Sequence, residues 1–250
     1  MPYFLSDLHI HTALSACAAD EMTPRRIVQR CKTAGLDLIA VCDHNTSLNA
    51  ASVVKAAEGT GLFVLPGIEA QTSEEVHIIV LFRDIEVSQR FEREVIRPAL
   101  PLVPNRPEVF GRQLLMDEHD RVTGEEEVLL LNSLDLDVTG IVEAARTYGA
   151  ISIAAHASRP AQGYLYTLGL LAEPHPDCFE FRNKTDALSA VKYWSLEGKG
   201  CVVVSSDAHS LDAIGPGRTA LRLDSLGFDE IARALRCRDS QRVVVLEDTA

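Results

Sequence analysis

Residues 3–44, YFLSDLHIHTALSACAADEMTPRRIVQRCKTAGLDLIAVCDH, decide the fold. Residues 3–8 read as a strand. Thr23 is placed to cap a helix, Pro24 suits its first turn, and Gly35 stops it, so a helix is expected over 24–34. The apolar run over 37–42 is a buried strand in the making. Strand, helix, strand is the unit of a parallel sheet. Outward from this unit the same rhythm continues. A helix is expected over 47–58 with Gly59 ending it, strands over 62–65 and 76–82, and a helix over 87–96. A helix over 138–148 stops at Gly149, and the strand AISIAA fills 150–155. Further strands fall at 178–181, 201–205 and 219–223, with helices over 186–197 and 229–236. About seven such repeats suggest an α/β parallel sheet, open or closed as a barrel.

The segment over about 97–137 breaks the rhythm. Pro98, Pro101, Pro104 and Pro107 lead into a mixed charged stretch, which reads as an insertion rather than a separate domain. Its lining of a site mouth is plausible, because long loops in compact domains are often functional; a surface elaboration is the competing reading.

The chain has 250 residues, 46% apolar and 24% charged, enough to bury a sizeable core. Lys plus Arg number 24 against 36 Asp plus Glu, a net charge of −12. Such an acidic excess disfavours broad binding to phosphate backbones, so no extended nucleic acid is expected as a partner. It leaves room for a small anionic substrate, because bound cations reverse the local field. The six cysteines (Cys17, Cys31, Cys42, Cys178, Cys201 and Cys237) form no CxxC pair. The N-terminus lacks a signal-peptide pattern and no apolar run is long enough to span a membrane, so a cytoplasmic protein with reduced thiols is expected.

Six of the eight histidines lie at or just past expected strand ends: His9, His11, His44, His77, His156 and His209. Residues i and i+2 of an extended chain project to one side, so His9 and His11 can chelate one ion. An exposed polar pair is the ordinary reading of a single HxH. The arrangement recurs in Asp207-Ala208-His209 after the apolar run CVVVSS, and imidazoles buried beside Asp without a cation leave costly unsatisfied groups. A parallel barrel brings all its strand C-termini to one face, which would gather His44 and His156 there. His77 fits least, since its strand continues beyond it, and a core histidine is the alternative. Glu69 follows the strand at 62–65. His119 and His175 sit in polar loops and read as solvated. Cys31, Cys42, Cys178 and Cys201 read as core residues. Cys17, six residues after His11 in a loop, is a candidate soft ligand.

Four pieces, DLHIHT (7–12), VCDHNT (41–46), AAHASRP (154–160) and SSDAHS (205–210), resemble in order and spacing the PHP (polymerase and histidinol phosphatase) family of metal-dependent phosphoesterases. The resemblance implies a distorted (β/α)7 TIM-like barrel as a single domain over 1–250, with two or three metal ions in its mouth. It implies that His9, His11, Glu69 and Asp207 hold one ion with Glu69 bridging, that Glu69, His77 and His156 hold a second, and that His44 and His209 hold a third. The family places a His or Asp five or six residues after the HxH pair. This chain has Ala16 and Cys17 there, so either Cys17 supplies a thiolate, Asp20 reaches in, or the third site is weak.

Imidazole-rich ligation suits Zn, Fe or Mn. The expected chemistry is hydrolysis of a phosphate ester, on a small phosphorylated molecule or nucleotide, by a metal-bridging hydroxide and without a protein nucleophile. Arg159 is placed to bind substrate phosphate, with Arg218 as a second candidate. Asp7 and Asp43 are expected to orient neighbouring imidazoles as acceptors behind them. A nuclease, a histidinol-phosphatase-like enzyme and a non-catalytic metal-binding module are the alternatives.

Overall fold

The computed structural model describes residues 1–169, 171, 173–215, 219–236 and 242–246. Among these residues the fold is a mixed α/β domain built on one nearly closed sheet of nine strands in the order β11-β10-β1-β2-β3-β4-β7-β8-β9. The strands are β1 (Tyr3–Ile10), β2 (Leu38–His44), β3 (Phe63–Gln71), β4 (His77–Leu81), β7 (Ile151–Ala154), β8 (Cys178–Phe181), β9 (Cys201–Val204), β10 (Thr219–Arg222) and β11 (Val243–Val245). The first unit folds as its sequence indicates: α1 (Pro24–Thr33) connects β1 to β2 in parallel, and α2 (Ala50–Ala57) connects β2 to β3.

The sheet is not all parallel. β4 returns from β3 by a short turn and runs antiparallel to both β3 and β7. A turn of so few residues leaves no room for the crossover that a parallel neighbour needs. β10 and β11 are also antiparallel additions, next to β1. They stand between β1 and β9 at one end of the barrel. At the other end the chain past β9 meets β1 directly, through the parallel bridge Ile10–Ala208. There His11 N donates to Ala208 O at 3.0 Å and Ala208 N to His9 O at 3.3 Å.

Helix starts differ from the sequence expectation where a side chain caps the backbone. Asp84 accepts from Val87 N at 2.9 Å, so α3 (Ile85–Phe91) begins two residues early and runs on into a wide π-type turn, Glu92–Ile96. Asn183 accepts from Asp186 N at 2.8 Å and starts α8 (Lys184–Trp194) early in the same way. α2 starts late because Ser47 is committed elsewhere: its N–H and hydroxyl both bond to the buried Glu92 carboxylate. Between them lie the short turns α4 (Arg97–Ala99) and α5 (Pro107–Phe110), the hairpin β5 (Leu114–Met116) and β6 (Val122–Glu125), then α6 (Val138–Thr147) and α7 (Tyr164–Leu168). The hairpin and its flanks form the insertion. It is pinned to the barrel by Leu114 N on Ala13 O (2.8 Å) and by Asn45, whose amide donates to the carbonyls of Leu130 and Asn132 (both 2.8 Å).

Inward-facing residues of the strands, among them Leu8, Leu38, Ile79, Ile153 and Val203, share one apolar cluster with Phe228, Ile231 and Leu235 of α9 (Phe228–Arg236). α9 lies across the strand starts: Arg236 donates to the carbonyls of Gly149 (3.1 Å) and Ala150 (2.6 Å). One end of the barrel is thus plugged by apolar side chains, and the polar residues collect at the other.

Candidate metal centre

Five imidazoles surround one carboxylate at that open end. Glu69, near the end of β3, is buried and has its Oε1 2.8 Å from His77 Nδ1, 3.3 Å from His156 Nε2 and 3.4 Å from His9 Nε2. Its Oε2 lies 3.0 Å from His44 Nδ1 and 3.4 Å from His11 Nε2. His9 and His11 face each other through Nε2 atoms 3.1 Å apart, as the i, i+2 rule requires. Asp207 Oδ1 completes the group at 3.5 Å from His9 Nε2, 3.3 Å from His11 Nε2 and 3.5 Å from His209 Nδ1. His77, the histidine that suits a parallel strand least, is the first residue of β4. Because β4 is reversed, its start lies level with the ends of β2, β3 and β7.

Two atoms each about 2.0–2.1 Å from one ion sit about 3.0–3.4 Å apart in tetrahedral or octahedral geometry. The spacings around His9, His11, Glu69 and Asp207 fall on that range within a tenth of an ångström. Among the described residues, three sets offer donor atoms within 4.8 Å of one another: His9, His11 and Glu69; His44, Glu69 and His77; His11, His44 and His209. His44 Nδ1, Glu69 Oε2, His77 Nε2 and His156 Nδ1 are buried and, among the described residues, make no hydrogen bond. Such groups are costly unless something else satisfies them. The donor set therefore fits divalent transition ions.

The charges lean the same way. Burial would raise the Glu69 carboxyl, yet His77, His9 and His44 hold it well below its ordinary value. Burial would lower His9, yet the carboxylates of Glu180, Glu69 and Asp207 carry it well above 6.5. Burial alone would raise the Cys17 thiol, but hydrogen bonds with His209 and His44 bring it down to about 6. Cys17 lines the same cavity as His44 and His209, at its solvent-facing rim. Asp20 does not: its carboxylate is 3.8 Å from Arg112 Nη1.

The cluster floors a cavity of about 430 Å³ lined also by Gln71, Leu131, Arg159 and Gln162. Leu131 brings the insertion to the mouth. Arg159 is half-exposed, with Nη1 3.9 Å from Asp207 Oδ2. Arg218 lies outside the described residues. Asp43 and Asp7 act differently from the expectation. Asp43 accepts from Thr12 N–H and hydroxyl (both 2.8 Å) and from Ser15 Oγ (2.7 Å), and reaches His11 only through Ser15, whose Oγ is 2.9 Å from His11 Nδ1. Asp7 holds backbone, accepting from His9 N at 3.3 Å and Ser206 N at 3.1 Å. The residue behind the His9 ring is Glu180, in the middle of CFEF, which the sequence reading passed over. A lone acid in a fully apolar strand was the available signal. His119 is in an exposed loop beside Arg25, while His175 is largely buried against Glu173 rather than solvated. Cys31, Cys42 and Cys178 are buried, Cys201 is partly so, and Cys237 lies outside the described residues.

The PHP domain model matches residues 7–209, and a PHP-associated model matches 191–240. The chain belongs to the PHP domain family. No curated protein sequence matches it. Among solved structures it is similar to the lesion-specific endonuclease Q of Pyrococcus furiosus (TM-score 0.68, 18% identity, 94% of this chain and 56% of that one). It is also similar to endonuclease Q in complex with a 27-mer duplex bearing an abasic lesion at the active site (0.69, 19%, 94% and 57%). A protein of Bifidobacterium adolescentis provisionally described as a metal-dependent phosphoesterase matches over 93% of this chain and 96% of its own (0.56, 18%). The chain spans a little over half the length of the endonuclease Q structures.

The duplex complex overturns the expectation that extended nucleic acid is excluded. Net charge is a sum over the whole surface, whereas a duplex would meet one face, where bound cations would invert the local field. Among the described residues no helix is long and apolar enough to cross a membrane.

Proposed function

We propose that this chain is a metal-dependent phosphoester hydrolase. The observation that carries the reading is the Glu69-centred ring of imidazoles, with Asp207, at the floor of an open cavity beside Arg159. His9, His11, Glu69 and Asp207 would hold one ion, Glu69, His77 and His156 a second, and His44, His209 and Cys17 a third. Divalent ions held there supply Lewis acidity to a phosphoryl oxygen and acidify water.

The chain's own residues do the rest. The Glu69 carboxylate presents one oxygen toward His77, His9 and His156 and the other toward His44 and His11, so it links the ligand sets. The Arg159 guanidinium offers a planar fork to phosphate oxygens at the rim. Leu131 of the insertion lines one side of the cavity. The reading requires no side-chain nucleophile.

Endonuclease Q shares the fold at the higher TM-scores and its duplex complex supports a second reading, a phosphodiesterase acting on nucleic acid. One experiment addresses both. Protein purified without chelator is assayed for metal, reloaded with Zn, Mn or Fe, and presented with sugar phosphates, nucleotides, histidinol phosphate, a single-stranded oligonucleotide and a duplex carrying an abasic site. At least two ions per chain and turnover of a phosphoester are expected. Substoichiometric metal after every reloading, with no ester cleaved, overturns the proposal.

A further inference from the structure

Glu180 lies behind the metal centre rather than in it. It is buried (1% exposed) in the middle of β8, between Phe179 and Phe181, which are themselves buried. An unpaired carboxylate in such a strand would destabilise the fold, so its partners define its use. Its Oε1 is 3.0 Å from His9 Nδ1 and also accepts from the backbone N–H of His156 at 3.0 Å. Its backbone carbonyl accepts from Ala157 N at 2.7 Å. One residue therefore grips both the ring of one ligand candidate and two consecutive peptides at another.

Both grips matter for geometry. An acceptor at His9 Nδ1 keeps the proton on that nitrogen and leaves Nε2, the atom facing His11, Glu69 and Asp207, free to ligate. His156 has φ = +31°, a backbone conformation uncommon for any residue with a side chain. It persists only where neighbours hold it, and the two bonds from its own and the next peptide N–H to Glu180 do so. The same strained turn launches the loop to Gly163 that carries Arg159 and Gln162 over the cavity.

We infer that Glu180 is a positioning residue that fixes the ring orientation and tautomer of His9 and the backbone of His156, and so sets metal affinity without touching metal or substrate. The inference rests on the metal-centre reading above. The test is Glu180→Gln, which keeps the shape and an acceptor oxygen but removes the charge. Wild type and variant are loaded with zinc; affinity is read by competition with a chromogenic chelator, and the His9 Nδ1–H by ¹⁵N-edited NMR. The variant should bind zinc about 10–100-fold more weakly, with the His9 proton signal shifted or lost and circular dichroism unchanged. Wild-type affinity and an unmoved His9 signal in the variant overturn the inference. So does a zinc-loaded wild type whose His9 carries its proton on Nε2. Wild type that binds no zinc at all instead overturns the metal-centre reading itself, so the two failures are distinct.

Discussion

Asp207 and His156 share a left-handed backbone, at φ of +52° and +31°, and Asn45, next to His44, has +53°. Asp207 and Asn45 are residue types that tolerate this region, whereas at His156 the conformation is held by its neighbours. None of this is legible in sequence, because Asp, Asn and His are ordinary residues there. What was legible is chemistry with short spacing: His9 with His11, and Asp207 with His209. Glu180 escaped because its partners, His9 and His156, are far away in the chain. At this scale Arg159→Ala should leave metal content unchanged and cost about 1.5–3 kcal/mol of binding to a phosphoester, the worth of one charge-assisted contact; a raised KM in steady-state assays checks it. Cys17→Ser should lose about one ion per chain while the fold stays intact by circular dichroism. Metal should also protect the wild-type thiol from alkylation. Unchanged stoichiometry together with metal-independent alkylation would exclude Cys17 as a ligand.

Among the elements, most of the barrel strands and helices followed from periodicity, but direction did not, and the β5–β6 hairpin, α7 and β11 were too short to show a period. The apolar run over 76–82 looks the same run either way, and only the short connection from β3 tells that β4 is reversed. That reversal puts His77 at the site. The helix starts moved because Asp84, Asn183 and Glu92 claim backbone donors, an effect visible only once partners are known. Glu92 accepts from Thr46 Oγ1 (2.9 Å), Ser47 N (2.8 Å) and Arg97 Nε (2.9 Å), so it ties α3 and its π-type turn to the segment following His44. Glu92→Ala strands the half-buried Arg97, although Glu126 remains at 2.9 Å to share its charge. A loss of about 3 kcal/mol is expected, at the low end for breaking a buried pair, and urea unfolding measures it. Gly163 lies so close to the Arg159 carbonyl that an added Cβ would fall 2.2 Å from that oxygen. Gly163→Ala should therefore displace the 156–163 loop and reduce kcat/KM with metal content near normal, as parallel assays of activity and metal content would register.

For the whole molecule, composition indicated an acidic chain able to bury a sizeable core and the strand–helix alternation an α/β fold, and that much holds. It misjudged partners, because a net charge of −12 says nothing about the field at one mouth. Ligand linkage gives the scale of what ions contribute to stability. Free metal at about a hundred times its Kd adds about 2.7 kcal/mol. For a domain of this size that is a rise in Tm of roughly 5–10 °C. Chelation should lower the calorimetric Tm by that amount, and readdition of metal should restore it.

The bridge between Ile10 and Ala208 carries a further meaning when the chain is viewed as a polymer. Residues 9 and 209 are about 200 positions apart, yet their side chains converge on one cluster. An ion held there acts as a cross-link closing nearly the entire chain into a ring, on the principle by which a disulfide over a long loop stabilises a fold. Such a link cannot form until the last ligand pair has docked against the first. Uptake of an ion held by Asp207 or His209 should therefore be the closing event of refolding, lagging the recovery of helical signal in a stopped-flow experiment with a metal-sensitive dye.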